Sequence, residues 1–393
     1  MKWLKHRSIQ ILLLTLLYMS TASLLPKEAH QFFYTISLFL KDLLLWMLPI
    51  TVAFFLANTV ASFEKKAPLF LLVLLAFETL SNLSSVWYAY FCGHATIPYF
   101  SQLNLHDTTA SFDPLWRLPF IRPSWWAADK GSFLGIAFGL IASFIKPSFK
   151  PLLQWGKDRV EWVLTNCFSR LIPVFVLGFI AKMQQTNLVY KIFYQYADLL
   201  FWLILFLTFY ILFLFFLGSG PSFKTFLRHI KNLLPSMSIS FSSGCSLSTM
   251  PWTIDGTAKN LENPELAKAI IPATTNIQQI GDCIANTFLC FLLFFTFHGT
   301  PPDLSTWISF SLVFVLARFA TAAVLGGAIF IMLPIYETYL HFTPEMISLI
   351  LAFNVILDPL ITSANVVANG ALCRIFEKTW SYVLKKSVIP KMD

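Results

Sequence analysis

The chain has 393 residues, of which 56% are hydrophobic and only 12% are charged. Soluble domains are usually about 45–50% apolar and about 25% charged, so this composition excludes an ordinary soluble domain. The net charge of +8 does not indicate nucleic-acid binding, because the basic residues lie in loops between apolar runs. Those continuous apolar runs predict helices that cross a membrane, and they lack the alternation that a strand-built barrel requires.

Six membrane spans are predicted in the first part of the chain. The first is an uncleaved helix, since a basic N-terminus precedes it and no clean cleavage site follows. Basic residues before this span and after the second, fourth and sixth spans place those ends in the cytoplasm. The predicted spans are about Ile9–Leu25, Phe32–Phe63, Leu69–Tyr90, Gly131–Ile145, Trp162–Ile180 and Ile192–Leu217.

Two features interrupt this simple pattern. Glu78 is an acid in the middle of the third span, and such an acid either binds a cation or proton or reaches a polar interior pocket. The segment from His94 to Asp129 is rich in Trp and Pro, and we expect it to lie as a loop at the outer membrane interface.

After the sixth span the chain is too polar for a lipid-facing helix. The segment Leu233–Thr253 is moderately apolar but carries many Ser and Thr residues, including Ser246, Ser248 and Thr249. Irregular backbone at membrane depth is tolerated only when protein or a water-filled cavity surrounds it. We therefore predict a re-entrant hairpin whose tip lies near Cys245–Pro251.

The following helix, about Leu266–Phe297, contains the polar block Thr274–Asp282 between two apolar halves. Such a block is typical of a broken helix that holds a solute or a cation. Arg318–Tyr339 is predicted to form a second hairpin with a turn at Gly326 and Gly327. Arg318 at its entrance could supply a positive charge to a solute, but we expect it to reach the interface, as membrane Arg residues near helix ends usually do.

The last predicted helix, Met346–Phe376, carries five polar residues on a stripe roughly 80° wide at about 100° per residue. An acid at the centre of this stripe is costly in lipid, so the stripe faces protein, solute or ion. The alternative is a structural stripe that hydrogen-bonds neighbouring helices. The stripe consists of Asn354, Asp358, Thr362, Asn365 and Asn369.

The C-terminal part resembles the dicarboxylate/amino acid:cation symporter family, which has the glutamate-transporter fold. The family's last helix carries D-x-x-R-T-x-x-N-V-x-G-D, and this chain reads D-P-L-I-T-S-A-N-V-V-A-N from Asp358. The T-L-P that ends the family's first hairpin corresponds to Thr249–Pro251. Its N-M-D-G-T motif aligns with Gln278–Asp282. The resemblance implies an all-α polytopic membrane protein of about eight spanning helices and two re-entrant hairpins, with inverted repeats.

The resemblance also implies site residues. Asp358 matches the acid that holds a substrate's amino group, whereas Thr362 and Asn365 match the positions that hold its carboxylate. Ile361 replaces the family Arg that pairs with a second carboxylate, and an aliphatic side chain cannot form that clamp. A neutral amino acid is therefore expected before a dicarboxylate. The hairpin tips would complete the substrate site through Ser246, Ser248, Thr249, Gly326 and Gly327.

The cation sites depart further from the family, because Asn369 and Ile280 replace two of its acids. Neutral amide and carbonyl oxygens can still bind Na⁺, a hard cation that prefers oxygen ligands. Asp282 and Glu78 remain as acids that could balance a cation or carry a proton, or that are simply buried and paired. The candidate cation-binding residues are Gln278, Asp282, Asn365, Asn369 and Glu78.

The resemblance implies a division into scaffold and transport segments. Residues 1–68 and 94–188 would hold the scaffold helices, the latter with the interfacial segment. Residues 69–93 and 189–223 would hold the third and sixth spans of the transport domain. That domain continues with hairpin 224–256, broken helix 265–298, hairpin 305–342 and last helix 344–378.

The expected protein is a homotrimeric symporter in the plasma membrane, with both termini cytoplasmic. It would move an amino acid by an elevator-type alternating-access mechanism coupled to Na⁺ or H⁺, with no other cofactor, no nucleic-acid partner and no enzymatic activity. Two alternatives stay open, a dicarboxylate symporter and a membrane receptor or structural protein that kept the fold but lost transport.

Overall fold

The computed structural model describes most of the chain, and the described residues are 88% helical and contain no strand. This content confirms the all-α class. The described residues are 17–18, 20–61, 68–100, 112–117, 123, 126, 128–142, 147–163, 166–167, 169–185, 197–244, 246–275, 277–318 and 327–387. The first predicted span therefore lies largely outside them, as does much of the predicted interfacial segment.

Helices dominate every described part of the chain, with short 3-10 turns at Ala22–Leu24 and Pro147–Phe149. The α-helices are α1 (Lys27–Ala61), α2 (Pro68–Phe100), α3 (Ala128–Leu140), α4 (Lys150–Val163), α5 (Ser169–Gln185), α6 (Ala197–Ser219), α7 (Phe223–Ser243), α8 (Ser246–Ala258), α9 (Glu265–Thr274), α10 (Ile280–His298), α11 (Leu304–Arg318), α12 (Gly327–Leu340) and α13 (Pro344–Ser387).

Several of these helices have the length and apolar composition of membrane spans. In the described part of the chain, Asp198–Ser219, Ile280–His298 and Ile356–Val383 are long and apolar enough to cross a bilayer. Leu304–Arg318 and Pro344–Asn354 are shorter apolar helices. The prediction of a polytopic α-helical membrane protein is confirmed.

Two helices extend into segments that the sequence predicted as loops. α2 continues to Phe100, past His94, and the Thr96 hydroxyl within this extension donates to the Cys92 carbonyl oxygen at 3.0 Å. α4 lies where the sequence predicted a cytoplasmic connection. Its buried residues Leu153, Gly156 and Val160 follow helical spacing and so form one buried face of the helix.

The tip of the first hairpin lies earlier than predicted. α7 ends at Ser243, and Gly244 has a left-handed φ of 57° while its N–H donates to the Ser240 carbonyl oxygen at 2.8 Å. Glycine suits this helix-ending conformation because it has no Cβ. Pro251 lies inside α8 and so cannot form the tip. α7 and α8 pack against each other as the predicted hairpin.

The chain divides into two compact units, and the long helices α2, α6, α10 and α13 each contribute to both. The division into scaffold and transport segments that the resemblance implies stays a prediction. The first unit comprises Met1–Ser62, Tyr90–Phe201 and Asn286–Leu357, and the second comprises Phe63–Ala89, Trp202–Ala285 and Asp358–Asp393.

In the first unit, α1 packs against α3, α4 and α5. Glycine permits two close approaches, since a Cβ on Gly131 would lie 2.3 Å from the Pro49 carbonyl oxygen. A Cβ on Gly178 would lie 2.1 Å from the carbonyl oxygen of Phe33. Small residues at such crossings are typical of helix packing in membranes.

The second hairpin, α11 and α12, also belongs to the first unit. Phe310 and Phe314 on α11 pack against Tyr336 on α12, with ring centroids 6.2 and 6.3 Å apart respectively. Arg318 is fully buried, and its guanidinium lies 4.7 Å from the centroid of the Phe314 ring. The expectation that Arg318 reaches the interface is therefore wrong, because its side chain is fully buried against Phe314.

In the second unit, the apolar core joins α2, α9 and the C-terminal half of α13. The rings of Phe70 and Phe77 on α2 each pack edge-on against Phe376 on α13, with centroids 5.4 Å apart. These contacts hold α13 beside the broken helix. The buried residues of the cluster are Leu74, Leu261, Ala267, Ile270, Ile271, Cys373 and Phe376.

Candidate functional site

The predicted broken helix is interrupted between α9, which ends at Thr274, and α10, which begins at Ile280. A buried side-chain amide on α2 hydrogen-bonds to the backbone at this interruption. The Asn82 Nδ2 donates to the Ile277 carbonyl oxygen at 2.8 Å, and the Gln279 N–H donates to the Asn82 Oδ1 at 3.2 Å. Because buried backbone groups require partners, Asn82 stabilises the irregular segment.

The polar stripe of α13 contacts the first turn of α10. The Asn365 Nδ2 donates to the Asp282 Oδ2 at 2.7 Å, and the Asp282 backbone N–H donates to the Asn365 Oδ1 at 3.2 Å. One amide thus binds both the side chain and the backbone of one residue. This geometry fixes the orientation of Asn365 and places a carboxylate beside it.

Gly281 allows α10 and α13 to approach so closely. A Cβ at this position would lie 2.5 Å from the Ile361 carbonyl oxygen and 2.9 Å from the Asn365 Oδ1. Separations under 3.0 Å essentially never occur for a real Cβ. Glycine at position 281 is therefore required for the contact between Asp282 and Asn365.

A small polar cavity lies between the break and the stripe. Its volume of about 10 Å³ holds roughly one water-sized particle, which is too small for an amino acid. Gln278 in its wall is 1% exposed, and no described residue hydrogen-bonds to its Oε1 or Nε2. The lining residues are Ser246, Thr253, Thr275, Gln278, Asn365, Val366 and Asn369.

The chemistry of this lining suits a monovalent hard cation. Hydroxyl and amide groups supply neutral oxygen ligands, which Na⁺ accepts. Asn369 is held in place because the Thr274 hydroxyl donates to its Oδ1 at 2.9 Å. Within the described residues, no group of three or more His, Cys, Asp or Glu side chains could hold a metal ion. The side chains that line the cavity itself are all uncharged.

Asp358 lies two helical turns before Asn365 on the same face of α13. Its carboxyl group is close enough to Asp282 for the two side chains to interact electrostatically. Thr362, which lies between Asp358 and Asn365 on the stripe, is buried. The second unit therefore brings two carboxylates, a hydroxyl and an amide to one region of α13 and α10.

The structure brings together some of the predicted site residues and leaves others apart. Ser246, Gln278, Asn365 and Asn369 share the cavity, and Asp282 is bonded to Asn365. Thr249 is buried within α8, where its carbonyl oxygen accepts from the Thr253 hydroxyl at 3.1 Å.

Three other predicted residues have different outcomes. Ser248 belongs to α8, but its side chain lies outside the described residues. Gly326 also lies outside them, and Gly327 is the first residue of α12 in the first unit.

Glu78 does not line the cavity. It is buried on α2, one turn before Asn82, and no described residue hydrogen-bonds to its Oε2. Sequence reasoning gave no individual role to Asn82 or Thr253, and it placed Thr275 in the polar block of the broken helix. Glu78 and Asn82, four residues apart, predict a shared polar face of α2 but not the partner of Asn82.

A comparison with protein families identifies the chain. The model of the sodium:dicarboxylate symporter family matches residues 132–379, which is more than half of the sequence. The chain belongs to this family. No curated protein matches the chain. The match covers both hairpins, the broken helix and the stripe of α13, whereas Asn82 on α2 lies outside it.

Membership confirms the predicted resemblance and establishes the general class of the protein. It is an integral membrane protein of a transporter family, and the family is not enzymatic. The departures of this symporter from the family motifs, above all Ile361 and Asn369, bear on its solute and its coupling ion.

Proposed function

We propose that this protein is a secondary active transporter that carries an amino acid, a neutral one, across the cytoplasmic membrane in symport with Na⁺ or H⁺. The observation that supports this most is the hydrogen-bonded pair of Asp282 and Asn365 beside the cavity of Gln278. It joins a candidate solute stripe to a candidate cation cavity through one side chain, which is the arrangement that coupled binding requires.

The solute would bind along the α13 stripe, at Asp358, Thr362 and Asn365. Asp358 would hold its amino group, while Thr362 and Asn365 would hold its carboxylate. The first hairpin would contribute Ser246, Ser248 and Thr249. Gly326 and Gly327 are assigned to the second hairpin, the closing element, by the resemblance alone. The elevator-type movement and the homotrimer are likewise proposed from the resemblance.

The preference for a neutral amino acid follows from position 361. Ile361 is 1% exposed and aliphatic, so it supplies no charge to a second carboxylate. A dicarboxylate is the second candidate, because the family's description names that substrate class.

The coupling ion would bind in the small cavity. The Gln278 amide oxygen has no other described partner, and an unpaired buried polar group is costly. A cation bonded to Gln278, Asn369 and nearby hydroxyls would satisfy that oxygen without a carboxylate ligand. If H⁺ is the coupling ion, Asp282 or Glu78 would carry it instead, since both are acids in the same unit.

Equilibrium binding of radiolabelled serine to the purified protein tests this function. We expect affinity to rise with Na⁺, and we expect Gln278→Ala to remove most of that dependence. Gln185→Ala is the matched control, because Gln185 is an exposed amide at the end of α5. If H⁺ couples, affinity will instead depend on pH and not on Na⁺. Serine binding that depends on neither would refute the coupling.

A further inference from the structure

We propose that Asp282 is a specificity-determining residue that rejects solutes with an acidic side chain and admits those with a neutral or cationic one. This inference rests on the proposed function, since it concerns selection among amino acids at the stripe of α13. It goes further because it assigns the rejection of acidic solutes to a repelling carboxylate as well as to the absence of a basic clamp.

The position of the Asp282 carboxylate is fixed by its contacts. Its Oδ2 accepts from Asn365, its backbone N–H donates to the same amide, and Gly281 presses against the α13 backbone beside it. The side chain is nevertheless only half-buried, so a ligand can approach it. A carboxylate held this way cannot turn away from an incoming solute.

An independent observation in this region is a buried amide that could bind a ligand. The Gln278 amide is 1% exposed, lines the cavity and has no described hydrogen-bond partner. Asn365 lines the same cavity and donates to Asp282. Asp282 is therefore one hydrogen bond away from a cavity whose wall contains an unsatisfied buried amide.

The charged side chains of α10 and the stripe are acidic, apart from His298 at the end of α10. The acids are Asp282 and Asp358, and neither α10 nor the stripe contains Lys or Arg. A second carboxylate on the solute would meet like charge at short range, whereas an ammonium group would meet opposite charge. Selection through a repulsive group is a recognised source of specificity.

A structural explanation for Asp282 predicts something different. An acid in the first turn of a helix stabilises that helix through its dipole, and Asp282 is in the first turn of α10. If this were its only role, its loss would weaken the binding of all solutes together. If Asp282 determines specificity, its loss would instead change the order of affinity among the solutes.

The test is competition against radiolabelled serine by glutamate and lysine, with the full-length protein in proteoliposomes. For the wild type we expect lysine to compete at least as well as unlabelled serine, and glutamate to compete about tenfold or more weakly. Asp282→Asn should raise the relative affinity for glutamate by about tenfold and lower that for lysine. Asp282→Glu, which keeps the charge, should preserve the wild-type order.

Asp255→Asn is the matched control. Asp255 is exposed on α8 and pairs with Lys259 at 2.6 Å, so its loss should leave the order unchanged. Glutamate that competes as well as serine in the wild type would overturn the inference, even if Asp282→Asn does not fold. A uniform loss of affinity in Asp282→Asn would also overturn it. Failure of all three amino acids to bind would instead refute the proposed function on which it rests.

Discussion

Replacement of Asn82 by Ala removes the side chain that hydrogen-bonds to the backbone at the break between α9 and α10. The wild-type amide makes two hydrogen bonds, to the Ile277 carbonyl oxygen at 2.8 Å and from the Gln279 N–H at 3.2 Å. Side-chain hydrogen bonds in membrane proteins contribute about 0.6 kcal/mol on average and about 1.7 kcal/mol at most. Two such bonds predict a loss of about 1–3.5 kcal/mol in the free energy of unfolding.

The effect should reach the cation cavity as well. Gln278, which lines the cavity, lies between the two residues that Asn82 binds. A break that is no longer held at Ile277 and Gln279 should position Gln278 less well. If Na⁺ binds in the cavity as we propose, it stabilises the folded state according to its affinity, and Asn82→Ala should reduce that stabilisation.

Reversible unfolding in SDS titrations, with and without Na⁺, measures both effects. Thr79→Ala is the control, because Thr79 lies on the same helix and its hydroxyl donates to the Leu75 carbonyl oxygen of that helix at 2.8 Å. The reasoning is refuted if Asn82→Ala unfolds with the same free energy as Thr79→Ala and keeps the wild-type response to Na⁺.

Three further substitutions test the site. Asp358→Ala should abolish amino-acid binding, because it removes the acid at the centre of the stripe, and equilibrium binding of serine measures this. Ile361→Arg should shift preference toward aspartate and glutamate, since it restores a guanidinium clamp, and competition against serine shows the change. Gly281→Ala should destabilise the fold by about 1–3 kcal/mol through overpacking against α13, which thermal unfolding detects. Gly218→Ala is its control, because the nearest atom to a Cβ there lies at 3.4 Å.

Each of these expectations has a clear contrary result. Unchanged serine affinity in Asp358→Ala would show that the solute binds elsewhere. Flat dicarboxylate affinity in a folded Ile361→Arg variant would show that this position does not face the solute. Equal stability of the Gly281 and Gly218 variants would show that α10 and α13 can move apart without a loss of stability.

The sequence predicted those features that depend on local pattern. Apolar runs gave the helical class, and the polar block Thr274–Asp282 predicted the break that separates α9 from α10. The helical period correctly placed Asn365 and Asn369 on one face of α13, where both line the cavity. These predictions succeed because periodicity and polarity are properties of neighbouring residues.

Contacts between distant residues could not be read from the same pattern. Asn82 is 195 residues from Ile277, and the bond from Thr274 to Asn369 spans 95 residues. Nothing local distinguishes Asn82 from a polar residue that faces another helix. The burial of Arg318 was missed for the same reason, since it depends on how α11 packs against α12.

The central claim is that this symporter couples the movement of an amino acid to a cation gradient. Uptake of radiolabelled serine, alanine, aspartate and glutamate into proteoliposomes, under an inward Na⁺ gradient and then an H⁺ gradient alone, tests it most directly. We expect saturable uptake of serine or alanine under one of the two gradients, and its loss in Asp358→Ala. Uptake of all four no greater than in protein-free liposomes under both gradients would contradict the claim.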